Sequence, residues 1–199
     1  MTTQLYFRYS DIYDGTLAKI ANSEFSYADI KWKYDFVNEY TEYWKVHNNT
    51  IFNYYKSLGL SFPNFWIAYF VEKRNNLIPF SDPLTIIFNK DKELTTSTLV
   101  HELCHSLFMY YENESLWNNL YEKVQSKFSD EDFVTKVHLI VVLFTYFGLQ
   151  QILDADKVNQ LLATEKELEG LKKAWQILDS SAEVFNSKDP IEALDKLCS

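Results

Sequence analysis

The apolar positions of the chain alternate between short runs of period two and long runs spaced three and four apart. Leu5-Tyr6-Phe7-Arg8-Tyr9 predicts a first strand, followed by a turn at Asp14-Gly15. Residues 27–58 contain neither Gly nor Pro, and Ile30, Tyr34, Val37, Tyr40 or Thr41, Trp44, Ile51, Tyr55 and Leu58 recur at helical spacing. That predicts one long helix stopped by Gly59, or two broken near His47-Asn48-Asn49, lying against a sheet. Residues 65–71 are apolar on both faces, as a buried strand is, and 84–88 form a second β-prone run. A polar loop at 72–76 and a Ser81-Asp82-Pro83 turn separate them.

After Asn89-Lys90-Asp91-Lys92 the period becomes helical. Residues 94–111 place Leu99, Val100, Leu103, Leu107 and Phe108 on one side, and 113–128 do the same with Leu116, Trp117, Leu120, Tyr121 and Val124. Ser129-Asp130 opens a further helix whose body, 133–153, is apolar nearly all round and therefore buried. Thr145 and Gly148 interrupt it, and it is too short for a membrane span. Beyond Asp154 the sequence is charged. Residues 164–179 form an amphipathic helix with Leu168, Leu171, Trp175 and Leu178 inward, and Asp189-Pro190 starts a last helix through Leu197. This tail carries no functional motif and reads as packing. The expected fold class is α+β, mostly helical: a small two- to three-stranded sheet next to the 94–111 helix, then a helical C-terminal lobe. The 199 residues suit one domain, with an N-terminal lobe over 1–111 and a helical lobe over 112–199.

Composition narrows the partners. A net charge of −9 repels nucleic acid and anionic membrane surfaces, so neither is expected as a partner. The two cysteines, Cys104 and Cys198, are far apart, and no signal-peptide core follows Met1, which points to a reduced, cytoplasmic protein. Tyr and Phe number 14 and 15 against 4 Gly and 4 Pro, so the core is expected to be aromatic and helical.

The chemistry is concentrated in His101-Glu102-Leu103-Cys104-His105. Two histidines four apart on a helix stand one above the other, so both imidazoles reach one metal ion, for which Zn²⁺ is the expected occupant. Glu102 projects about 100° round the helix, where it can hold a metal-bound water and act as general base. A catalytic zinc needs a third protein ligand and keeps the fourth position for water. His138, in the apolar helix, is one candidate; a hydrogen-bonded core histidine is the other reading of the same residue. Glu112, Glu114, Glu122, Glu131 and Asp132 are carboxylate rivals, with Glu122 the best placed. His47 reads as half-buried among tyrosines.

The strand-to-helix context with His101-Glu102-x-x-His105 resembles the zincin metallopeptidases, and more loosely their gluzincin branch. The resemblance covers residues 84–111, extending at most to the His138 helix. It implies a small sheet above an active-site helix, zinc on His101 and His105, and Glu102 as the acid-base group of peptide-bond hydrolysis on a peptide or protein substrate. The metzincin glycine and third histidine are replaced by Phe108 and Tyr111, and the gluzincin glutamate by His138. Tyr110, Tyr121 and Tyr146 are candidates by type for a transition-state stabiliser. The contrasting expectation is an inactive zincin-like binding or regulatory protein whose metal is structural or absent.

Overall fold

The computed structural model describes residues 3–26, 30–74 and 77–199. The start of the expected long helix at Tyr27 and the Asn75-Asn76 end of the polar loop lie outside the described residues. Among the described residues the chain forms four strands and eight α-helices, an α+β fold that is mostly helical.

Strand β1 (Gln4–Tyr9) alternates exposed and buried residues and pairs in parallel with β2 (Phe65–Val71). β2 pairs in parallel with β4 (Leu84–Ile87), and the two-residue β3 (Phe80–Ser81) closes the sheet antiparallel to β4, giving the order β1-β2-β4-β3. The sheet has one strand more than the sequence pattern suggests, since two residues carry no period.

Helix α1 (Asp11–Ile20) replaces the expected turn at Asp14-Gly15. Ser10 caps it by accepting from the Tyr13 N–H, and Asp14 is drawn inward by charge rather than left at a turn. Asp14 pairs with Lys33 at 3.4 Å and with Arg74, while Lys33 also reaches Glu72 at 3.0 Å, so two buried cations meet two carboxylates. Tyr13 lies on the outer face of the sheet, with its hydroxyl 2.8 Å from Thr85 Oγ1.

Helix α2 (Ile30–Ser57) is continuous through the suspected break. Asn48 points inward there, its Oδ1 accepting from Leu5 N–H and Trp44 Nε1–H and its Nδ2 donating to Thr3 O, so a residue that reads as a breaker satisfies the strand edge instead. Gly59, at φ 88°, provides the left-handed stop, with the Leu60 N–H returning to Tyr55 O. Tyr40 of α2 packs edge-on against Phe7 and Phe70 on the inner face of the sheet, and its hydroxyl meets Thr96 Oγ1 at 2.8 Å. Thr96 belongs to α3 (Lys92–Met109), which is thereby held beside α2.

The C-terminal half is helical: α4 (Glu114–Lys127), α5 (Phe133–Leu149), α6 (Ala155–Glu165), α7 (Glu169–Ser180) and α8 (Pro190–Cys198). The apolar α5 is its buried centre, packed against α3 on one side and α7 and α8 on the other. It starts at Asp132, whose side chain accepts from the Thr135 N–H, later than the Ser129-Asp130 signal suggests, and stops four residues short of Leu153. The expected helix over 164–179 is α7, which starts later, at Glu169, after the last two residues of α6 and a break. The rest of α6 lies upstream of where the pattern places helix. Tyr55 joins three helices at one point: its hydroxyl donates to Phe144 O of α5 at 3.0 Å and lies 3.2 Å from Cys104 Sγ of α3. Phe108 of α3 meets Phe144 at 4.9 Å. These contacts set the register of α3 against α5. No helix of the described residues is long and apolar enough to cross a membrane.

Candidate metal centre

Asp91 caps α3 by accepting from the N–H groups of Glu93 and Leu94, and the helix then runs unbroken through residues 101–105. His101 and His105 therefore fall on one face with ring centroids 5.1 Å apart. That face looks at the first turns of α5, where His138 completes the group at 5.6 Å from His101 and 5.1 Å from His105. One ligand atom from each of the three lies within 4.8 Å of the others. Nitrogens sharing one tetrahedral zinc stand about 3.4 Å apart, so ring movements of roughly 1 Å bring the three onto one ion. The donor set, three imidazoles and nothing harder or softer, suits Zn²⁺ and leaves a fourth position for water.

The rings are primed as ligands. Burial, and after it the proximity of His105 and His138, holds His101 well below the ordinary imidazole range. Burial and then His138 push His105 down to about 4. His138 is lowered by burial too, against the opposing pull of Val134 O, which accepts from its Nδ1 at 2.9 Å. All three are thus neutral near pH 7, with lone pairs for a metal rather than protons.

Glu102 is half-buried one step round the helix. Burial, reinforced by the charge of Glu165, raises its carboxyl to about 7. The next turn of α3 is tied to the sheet edge, because Ser106 Oγ lies 2.7 Å from Ser81 O of β3 and 3.1 Å from Glu102 O. The short strand thus runs beside the turn that carries the carboxylate.

Sequence reasoning missed Glu165. It is the last residue of α6, buried, with Oε1 accepting from Ser97 Oγ at 2.9 Å and Oε2 at 3.9 Å from His101 Nδ1. Glu165 Oε2 and His101 Nδ1 are both buried and have no hydrogen-bond partner. The signal was present: Asp154 is a capping residue, and Val158, Leu161, Leu162 and Glu165 share one helical face, so a carboxylate stands at an inward position.

The other candidates lie elsewhere. Glu122 is exposed on α4, in a shallow surface hollow shared with Lys123 and Asp195. Glu112 and Glu114 are exposed, Glu131 pairs with Lys173, and Asp132 caps α5. His47 is half-buried against Tyr43 and Trp44. Tyr110 packs on Trp66, Tyr121 between Trp117 and Phe133, and Tyr146 on Phe147 and Phe185. No protein-family model, curated protein or solved structure matches the chain.

Proposed function

We propose that the chain is a zinc-dependent hydrolase, a metallopeptidase of zincin type acting on a peptide or protein substrate. The observation that carries this reading is the convergence of His101, His105 and His138 within 4.8 Å of one another, with Glu102 on the same helix. His101 and His105 would hold the ion from α3 and His138 from α5. A zinc ion so held would supply a Lewis acid that polarises a carbonyl and acidifies water. Glu102, ionised on the same helix, would accept a proton from the attacking water and return it to the leaving amine. Two further features bear on setting. Cys104 and Cys198 are both free, which suits a reducing, cytoplasmic compartment. The −9 charge suits a peptide substrate over nucleic acid.

The test is Glu102→Gln against wild type, both loaded with zinc, on a fluorogenic peptide pool. The variant keeps its metal and loses roughly 10²- to 10⁴-fold in turnover. Full activity in the variant on a peptide that the wild type cleaves sinks the reading.

A further inference from the structure

We propose that Glu165 is the positioning carboxylate of the metal centre: it receives the Nδ1–H of His101, so that the ring presents Nε2 to the ion. The inference rests on the three-histidine metal site and extends it to a fourth side chain, from the segment whose sequence reads as packing.

Two atoms carry it. His101 Nδ1 and Glu165 Oε2 are both buried without a hydrogen-bond partner, and they face each other at 3.9 Å. A buried donor and a buried acceptor each cost free energy when unmatched, and a movement of about 1 Å makes them a charge-assisted hydrogen bond. Seating His101 on an ion is such a movement. With Nε2 bound to metal, the ring's hydrogen must sit on Nδ1, and Glu165 Oε2 is the acceptor in front of it.

Glu165 is also held as a positioning group needs to be. Ser97 Oγ, one turn before His101 on α3, anchors its other oxygen at 2.9 Å. Its chain neighbour Lys166 binds both oxygens of Asp179 on α7, at 2.6 and 2.8 Å, and lies over the Trp175 ring. Swinging the carboxylate into the cluster would break its bond to Ser97 on α3. Glu165 lies outside the group of ligand atoms that converge on one point, so the geometry assigns it to the ring behind the metal rather than to the metal.

The experiment is a metal titration with Zn²⁺ against a chromophoric chelator, and with Co²⁺ followed by its absorption spectrum. It uses wild type, Glu165→Ala, Glu165→Gln and Ser97→Ala, with thermal unfolding of each protein stripped and loaded. Glu165→Ala weakens Zn²⁺ roughly 10- to 100-fold, and its thermal shift on loading shrinks accordingly. Glu165→Gln keeps an acceptor oxygen and recovers part of the affinity, and Ser97→Ala loses less than Glu165→Ala. The Co²⁺ spectrum keeps the same coordination number throughout. A merely structural role lowers stripped and loaded proteins alike and leaves affinity unchanged, which overturns the inference. A change of coordination number in Glu165→Gln makes Glu165 a ligand and overturns it too. Should Glu165→Ala fail to fold, unaltered affinity in both Glu165→Gln and Ser97→Ala is the overturning result. Wild type that binds neither ion removes the metal site itself, whereas wild type that binds while the variants match it removes only the role of Glu165.

Discussion

His138 Nδ1 lies 2.9 Å from the carbonyl oxygen of Val134, one turn earlier on α5. A carbonyl only accepts, so Nδ1 carries the hydrogen and Nε2 keeps its lone pair, free to bind a metal shared with the histidines of α3. Nitrogen-15 spectra of the metal-free protein near neutral pH should show His138 as the Nδ1–H tautomer. Added zinc should then move Nε2 without exchanging the two nitrogens. Observation of the Nε2–H tautomer would contradict the assignment.

The pH dependence of the metal-free protein has two opposed parts. The histidines have folded values below the ordinary 6.5, so the stability tied to their neutral forms is present above that pH and is lost as pH falls towards the folded values. Glu102 and Glu165 are each raised to about 7, in both cases chiefly by burial. Their contribution is present at low pH and lost as pH rises through 7. Glu165→Gln removes one of these carboxylates, so stripped of metal it gains stability relative to wild type between about pH 5 and about pH 8, by roughly 2–3 kcal/mol. Denaturant melts of the two proteins at both pH values measure the difference, and a constant difference contradicts the account.

Asp14 neutralises Lys33 and Arg74, all three buried at the junction of α1, α2 and the end of β2. Asp14→Ala leaves two buried cations sharing Glu72 and should cost roughly 3–5 kcal/mol in unfolding free energy. Urea melts check this, and a loss under 1 kcal/mol, about the scale of a surface pair, would show that the network is solvated.

Gly148 exists to make room for Tyr55. A Cβ there would stand 2.9 Å from the Tyr55 Cζ and closer still to the hydroxyl oxygen, which bonds Phe144 O. Gly148→Ala should cost roughly 2–3 kcal/mol by overpacking and by loss of that bond. The same change in a Tyr55→Phe background should cost at least ~1 kcal/mol less, a coupling that thermal melts of the four proteins resolve.

What the sequence made legible is what has a period or a cap. The α3 helix with its motif, the Gly59 stop and the Asp189-Pro190 start all follow local rules, and the structure contains each of them. What was illegible depends on partners distant in sequence. Asp14-Gly15 reads as a turn because nothing nearby announces Lys33 and Arg74, which draw Asp14 into a helix. Asn48 reads as a breaker until the β1 backbone is beside it. Glu165 stands 64 residues from His101 on a helix of ordinary polarity, so its proximity is a product of how α6 docks. His138 was legible as a candidate third ligand but not as a placed one; the register set by Tyr55, Cys104 and Phe144 is what brings it to His101 and His105.

The most direct test of the three-histidine centre is zinc content by elemental analysis, on wild type and His138→Ala purified side by side without added metal. The account predicts about one zinc per wild-type chain and most of it lost in the variant. Wild type that stays free of zinc even when it is offered, or a variant that holds zinc as tightly as wild type, would contradict it.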